Sequence, residues 1–501
     1  MKQHEWLEPG AALRTQLLID GLWCTGEGGQ RLPVVNPSTE ETVVEVEAGN
    51  AADVDCAVRA AARAFRTWKK TTGAQRAMLL RAIARGVNDL REHLAALQSL
   101  NNGKPLDEAR IDVSDVAATF EYYAGLAEQL DEVGESAVAI PSDEYRAAIR
   151  REPAGVVALI VPWNFPMVTT AWKLAPALAA GCTVILKPSE ITPLPELELA
   201  AIIADAGVPR GVLNVVTGTG TEVGAPLAAH PLVAKVSFTG STAVGAQVMR
   251  TAADTIKGVS LELGGKSSII VFADADLDLA TDLVAGGAFF NAGQMCSATS
   301  RVLVERSIAD ALAARLADRA TRMVVGDPFK SGVQMGPLTN RAQYERVQRY
   351  IARGKADGAR LVIEGEAPAG PGYFVRPTMF VDMPMESPLW REEVFGPVLC
   401  MRSFDTEDEA IGAANDTEFG LVATVVTRDA GRGRRVAEEL EAGVVWINAP
   451  QAIFPQTSWG GYKRSSIGRE LGPFGLAAFQ EIKQVLVPAG SLASPECVRG
   501  A

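Results

Sequence analysis

Apolar residues recur along this chain first at helical spacing and then in short unbroken runs, and the change falls near Gly155. Over residues 51–99, alanine, leucine and arginine return at helical intervals with an interruption near Lys70-Thr-Thr-Gly73, which predicts two helices. Another helix is predicted over 108–130, where Asp112 and Asp115 stand three apart and therefore close on one face. Alternation over Ser136–Arg151 predicts a strand. Beyond it, Gly155–Val161, Val184–Leu186, Val212–Val216 and Val236–Phe238 read as buried strands. A helix over Glu196–Asp205 and another beginning near Ser241 separate or follow them. Strands alternating with helices imply a doubly wound parallel sheet covered by helices, an α/β architecture.

A second run of the same kind begins around Ser267: strands at Ser268–Phe272, Val302–Glu305 and near Leu361 and Val398, with a helix through 308–324. A length of 501 residues is too great for one ordinary core. The main transition is placed near Glu262, and the second unit runs to about 450. The tail Gln480–Val487 alternates and can return to a sheet with the early segment.

Composition narrows the function class. Hydrophobic residues make up 48% and charged residues 22%, as in a soluble globular protein, and the net charge of -12 disfavours nucleic acid and anionic membranes as partners. No apolar run approaches the roughly 18 residues of a spanning helix. Residues 1–8 lack the apolar centre of a signal peptide, so the expected compartment is the cytoplasm. The cysteines at 24, 56, 182, 296, 400 and 497 and the histidines His4, His93 and His230 form no metal-ligand spacing, so no metal is expected. A base for any nucleophilic cysteine is therefore better sought among carboxylates.

Two segments answer that description. Cys296 follows the polar, glycine-containing turn Phe290-Asn-Ala-Gly-Gln-Met-Cys296, and Glu262 lies in Leu261-Glu262-Leu-Gly-Gly-Lys266, where paired glycines allow close backbone approach. Together they suggest thiol nucleophilic catalysis with a carboxylate base, although a lone internal cysteine is ordinarily a small buried hydrophobe. Asn164, in Pro162-Trp163-Asn164-Phe165-Pro166, can aim an amide donor at a developing oxyanion beside the Cys296 N–H; the same residues also make an Asx turn. Lys173, on the ensuing helix, can orient water or tune a proton path. Gly240 and Ser241 follow a strand and open a helix, where free N–H groups can bind an anion, or simply turn the chain. Lys187 can offer an ammonium and Glu190 can accept from two ribose hydroxyls, or the two form a solvated pair.

In combination and order these pieces resemble the aldehyde dehydrogenase superfamily from about 20 to 490, and most nearly its plant-type betaine aldehyde and aminoaldehyde members. Lys187-Pro-Ser189-Glu190, Phe238-Thr-Gly240-Ser241, Glu393-Val-Phe395-Gly-Pro397, Thr170-Ala-Trp172-Lys173 and Trp459-Gly-Gly461 carry the likeness beside the two segments above. The resemblance implies a Rossmann-like NAD-binding domain (1–135 and 152–261) and a catalytic α/β domain (262–450). It also implies a β-arm for oligomerisation (136–151 and 480–495) and a return to the cofactor domain and substrate channel (451–479). It implies Cys296 as nucleophile, Glu262 as the base for the hydrolytic water, and Asn164 with the Cys296 N–H as oxyanion hole. Lys187 and Glu190 would hold the adenosine ribose, Ser241 the pyrophosphate, Glu393 the nicotinamide ribose and Phe395 the nicotinamide side, with Trp163, Ser189 and Gly240 beside them. Glu190 would repel a 2′-phosphate, which favours NAD over NADP. A homodimer or homotetramer is also implied.

The likeness extends to the substrate. It places Phe165, Trp172, Phe290 and Trp459 around a channel, where aromatic faces can hold an ammonium group. Asp112 and Asp115 match acidic residues near the tunnel mouth. Val444 matches a position where a small residue leaves room for trimethylammonium and isoleucine favours smaller ω-aminoaldehydes. The implied substrate is an ω-aminoaldehyde or betaine aldehyde, with a hydrophobic or aromatic aldehyde as the alternative. A descendant that binds without catalysis would be expected to lack Cys296, Glu262 or Asn164, and all three are present.

Overall fold

A computed structural model describes residues 13–363 and 367–490. The expectations that fall on 1–12 and 491–495 lie outside those residues.

Residues 51–102 form three helices where periodicity predicts two: α1 (Ala51–Trp68), α2 (Gly73–Asp89) and α3 (Arg91–Asn102). The first two start at capping boxes, Asn50 with Asp53 and Thr72 with Gln75, which satisfy otherwise orphaned N–H groups. The unpredicted break is at Leu90, whose backbone (φ -101, ψ 20) closes α2 and opens α3 with no glycine or proline to mark it. α3 ends at Gly103 in the left-handed region (φ 93), and α4 (Leu106–Val133) follows after Pro105. The helices α5 (Pro166–Ala180), α6 (Leu194–Asp205), α7 (Ala225–Ala229), α8 (Thr242–Ala253) and α9 (Leu277–Phe289) alternate with strands.

The first sheet runs in the order 22–24, 17–19, 213–215, 183–187, 156–160, 235–239, 258–262, 466–467. Its five inner strands are parallel; its edges are antiparallel. Val156–Ile160 is buried along its whole length, which explains its unbroken apolar run. From this strand the chain crosses first to Thr183–Lys187 on one side and later to Lys235–Thr239 on the other. That reversal opens a crevice beyond the carboxyl ends of the strands, the usual ligand position in such sheets.

The second sheet has the order 360–363, 378–381, 398–404, 301–305, 268–271, 422–426, 444–447, parallel except at its first strand, and packs its own core. A third, three-stranded sheet joins Gln480–Pro488 to Tyr145–Pro153 and Glu135–Val138. The strand predicted over Ser136–Arg151 is thus two strands around a turn. Val138, Tyr145, Ile482 and Leu486 leave apolar surface exposed on it. Among the described residues no helix is long and apolar enough to cross a membrane.

Candidate active site

A cavity of about 650 Å³ opens at the crevice. Its wall joins Trp163, Asn164 and Phe165, just beyond strand Val156–Ile160, to Gly240 and Ser241 at the head of α8 and to Cys296. Glu393, Phe395 and Trp459 come from more distant parts of the chain.

The turn that presents Cys296 has an unfavourable backbone. Asn291 (φ 49), Ala292 (φ 53) and Gly293 (φ 71) are all left-handed. For the two non-glycine residues this costs about 1–2 kcal/mol each. Directional bonds hold it there. The Glu108 carboxyl, in the first turn of α4 and raised to about 8 by burial, accepts the Asn291 N–H at 2.9 Å. The Gln294 side chain donates to the Asn291 carbonyl at 3.1 Å and accepts the Thr339 N–H at 2.9 Å. Asn164 Nδ2 donates to the Gln294 carbonyl at 2.9 Å, and Asn291 Nδ2 donates back to the Asn164 carbonyl at 3.0 Å. Asn164 retains a second amide N–H for the cavity. Gly265 lies so close that a Cβ there would stand 2.5 Å from the Cys296 carbonyl, which is why the base segment carries a glycine pair.

Burial pushes the Cys296 thiol up to about 12, with the acids Glu393 and Glu262 acting in the same direction. Burial also holds the Glu262 carboxyl well above its ordinary range; Glu470 adds to this and Lys173 opposes it. At rest both groups are therefore neutral, a thiol on the cavity wall and a carboxylic acid that is not itself among the lining residues, and reaction requires a route for a proton. Lys173, fully buried on α5, forms an ion pair with Glu470. Glu470 exchanges both backbone hydrogen bonds with Trp459 at 2.8 Å, linking this acid–base cluster to the cavity wall.

On the cofactor side, the Gly240 N–H donates to the Glu262 carbonyl at 3.0 Å, and Ser241 caps α8. A Cβ at Gly245 would stand 2.5 Å from Leu263, so the helix sits close to the base segment. Glu393 accepts the Gly265 N–H at 3.0 Å, and burial raises its carboxyl to about 7. Trp163 and Phe395 meet edge to face at 5.2 Å. Lys187 donates to Glu190 at 2.9 Å at the end of strand Thr183–Lys187, outside the lining of the cavity itself. Ser189 accepts the Ile191 N–H at 3.3 Å and so braces its own turn.

The four aromatic residues form two pairs on the cavity wall: Phe165 with Phe290 (6.4 Å, interplanar 6°) and Trp172 with Trp459 (5.4 Å, 58°). Asp115 accepts the Trp172 indole N–H at 2.9 Å, and burial raises its carboxyl to about 7. Two placements differ from expectation. Asp112 reaches the wall, but its carboxylate is engaged by buried Lys104 and by Gln98 at 2.9 Å, so it offers little free charge to an incoming cation. Val444 is not a lining residue; it packs one layer back, against the core that contains Trp172 and Trp459.

The aldehyde dehydrogenase family model matches residues 23–485. The chain belongs to the aldehyde dehydrogenase family. It is 48% identical over 477 residues to the chloroplastic betaine aldehyde dehydrogenase of Amaranthus hypochondriacus, covering 94% of this chain and 95% of that one. Peroxisomal aminoaldehyde dehydrogenase 1 of Pisum sativum gives the same identity and coverage. Among solved structures, betaine aldehyde dehydrogenase of Staphylococcus aureus in complex with NAD+ superimposes with a TM-score of 0.95 at 38% identity, covering 98% of this chain and 99% of that one.

Three site residues of this aldehyde dehydrogenase escape sequence reasoning. Glu470 lies in a region without periodicity, and only the fold brings it to Lys173 and Glu262. Lys104 places its ammonium 3.9 Å from the centre of the Phe165 ring. Glu108 holds the nucleophile turn. Glu108 and Asp112 are spaced four apart on α4, and that spacing was the available signal for a shared face; Lys104, ahead of Pro105 and outside the helix, leaves no such signal.

Proposed function

We propose that this aldehyde dehydrogenase oxidises cationic aldehydes, ω-aminoaldehydes and betaine aldehyde, to their carboxylic acids with NAD. The observation that carries the substrate class is the pairing of four ring faces with Asp115 on a wall that leads to Cys296. Ring faces attract an ammonium or trimethylammonium group, and a buried carboxylate adds long-range attraction when ionised. The relatives named above act in the same sense.

The residues support the following order. Cys296, once deprotonated, attacks the aldehyde carbon and forms a thiohemiacetal, whose oxygen meets the free N–H of Asn164 and the Cys296 N–H. Glu262 has one carboxyl oxygen without a partner among the described residues. Glu262 first passes its own proton to the adjoining Glu470–Lys173 pair; the freed carboxylate then takes the Cys296 proton and sheds it by the same route before the hydrolytic step. NAD, when bound, supplies the hydride acceptor that turns the thiohemiacetal into a thioester. Glu262 then deprotonates the water that releases the acid and restores the thiol.

The residues fit NAD. Gly240 and Ser241 open α8 into the cavity, the end of a helix suited to a pyrophosphate. Glu393 and Phe395 flank the route from there to Cys296, and Glu190 would repel a 2′-phosphate. Residues 1–135 and 152–261 are read as the cofactor domain, 262–450 as the catalytic domain, and 451–479 as the return to the channel. The exposed apolar residues of the three-stranded arm support a homodimer or homotetramer, which light scattering tests.

One observation favours a second reading. The Lys104 ammonium already lies against Phe165 and weakens that ring's attraction for another cation, which suits a neutral aromatic aldehyde on the Phe165–Phe290 pair. Comparing kcat/KM for 4-aminobutanal, betaine aldehyde, benzaldehyde and 3,3-dimethylbutanal, the neutral isostere of betaine aldehyde, decides between them. Higher values for the cations support the first reading; equal or lower values replace it with the second.

A further inference from the structure

Helix α9 turns one stripe of its surface toward the cavity, Asp282, Leu283, Gly286 and Gly287, and ends at Phe290. Two of these residues are glycines inside a helix, where glycine is a poor helix former, and steric demand accounts for only one of them. A Cβ at Gly287 would stand 2.2 Å from Thr299 Oγ1 and 3.1 Å from Gln451 Nε2, so that position has no room for a side chain. A Cβ at Gly286 would meet nothing within 4 Å. Its backbone is helical, so other residues could stand there without strain. Glycine at 286 thus keeps open a part of the cavity that packing does not require to be open.

Gly286 stands one helical turn, about 6 Å of rise, back from Phe290, whose ring pairs with Phe165. Exposure increases in the same direction: Phe290 is half-buried, whereas Gly286 and Asp282 are exposed. The space beside Gly286 is therefore the outer part of the channel, beyond the ring pairs as seen from Cys296. Its apolar lining comes from Leu283, from Ile453 and from Ile111 of α4, which is 59% exposed. The acids at this level are committed: Asp112 to Lys104 and Gln98, and Asp282 to Arg319 at 3.6 Å. Apolar side chains left exposed around a concave opening suit an apolar ligand group.

We propose that Gly286 opens an outer subsite for an apolar group carried beyond the ammonium of the substrate, so that the enzyme accepts N-alkyl or N-benzyl aldehydes larger than betaine aldehyde. The inference rests on the reading of this cavity as a channel for cationic aldehydes. The ammonium stays between the ring pairs, and the added group is buried against Ile111, Leu283 and Ile453. A side chain at position 286 would occupy the place of that group.

Two matched pairs of aldehydes test it. Benzyldimethyl(2-oxoethyl)ammonium differs from betaine aldehyde by a phenyl ring in place of a hydrogen, and 3,3-dimethyl-4-phenylbutanal differs from 3,3-dimethylbutanal in the same way. In the wild type the phenyl member of the cationic pair should have a kcat/KM at least equal to that of its partner. Gly286→Leu should lower this ratio by about tenfold, and Gly286→Ala by less, through KM more than kcat. Leucine and alanine are better helix formers than glycine, and a fault in folding would lower both rates alike and cancel in the ratio. A wild-type ratio below one, or a ratio unmoved in Gly286→Leu, overturns the outer subsite. The neutral pair separates this outcome from the cationic reading. A phenyl ratio that falls in Gly286→Leu within the neutral pair supports the subsite even where cations are not preferred, and a cationic preference with both phenyl ratios unmoved overturns the subsite alone.

Discussion

The turn at 291–296 and the aromatic wall that begins at Phe290 are held by different means. The turn carries two left-handed non-glycine residues and is fixed by its N–H bond to Glu108, by the Gln294 side chain, and by N–H groups donated from Asn164 and Thr339. The wall is built from ring contacts, and its conspicuous polar tie is the Trp172 indole on Asp115. Directional bonds fix a nucleophile to a fraction of an ångström, and a chemical step is sensitive at that scale. Ring surfaces fill space with little angular demand, so one wall can take several side chains of similar size. Substitutions in the turn should therefore change kcat across all aldehydes, while substitutions in the wall should change the ranking of aldehydes.

The largest effects should come from the reacting groups. Cys296→Ala should abolish aldehyde oxidation and leave NAD binding, followed by calorimetry, close to wild type; residual turnover at the wild-type level removes Cys296 from the mechanism. Glu262→Gln should spare the first turnover more than the second, giving a rapid NADH burst and a slow steady state in stopped-flow records. Asn164→Ala should lower kcat by roughly a hundredfold, the scale of one oxyanion donor. A rise in KM alone would assign Asn164 to ground-state binding instead.

Glu108 sharpens the comparison because it touches the turn and not the reacting atoms. Glu108→Leu removes the acceptor of the Asn291 N–H and should lower kcat by about tenfold, equally for cationic and neutral aldehydes. Burial raises the Glu108 carboxyl to about 8, so the acceptor is largely the neutral acid at pH 7, and the loss corresponds to one buried hydrogen bond of about 1.4 kcal/mol. Glu108→Gln keeps an acceptor oxygen and should restore most of the activity. A loss in Glu108→Leu confined to cationic substrates would instead make Glu108 part of the substrate wall.

The same division decides what could be read from the sequence. Val156–Ile160 and Thr183–Lys187 are buried on both faces and announce themselves as unbroken apolar runs. Strands Leu17–Ile19 and Leu22–Cys24 are three residues long at a sheet edge, too short for any periodicity to register. The break at Leu90 is silent because its backbone departs only modestly from the helix and needs no special residue. Cys296 and Glu262 stand in segments whose glycines are demanded by close backbone approach, and such demands leave local traces. Glu470 and Glu108 act through contacts made only after the chain has folded. The distance of Val444 from the cavity is likewise a matter of packing depth, which spacing along a strand does not encode.

The smallest effects should appear in the wall. Trp172→Ala should weaken use of betaine aldehyde relative to 3,3-dimethylbutanal by about fivefold, the worth of a cation–π contact of about 1 kcal/mol. Asp115 gives a finer test, because its carboxyl is raised to about 7 by burial, with the Trp172 N–H pulling it partly back. Above that value Asp115 is ionised and attracts the quaternary cation; below it the neutral acid does not. The preference for betaine aldehyde over its neutral isostere should therefore fall as pH decreases through about 7, by about threefold. Glu393 titrates in the same range, but it faces the cofactor and should change both rates alike, so it cancels in the ratio. Neither substrate titrates there. Asp115→Asn should give a ratio that is low and flat across pH; a ratio that still rises through neutrality in this variant would mean that another group supplies the charge.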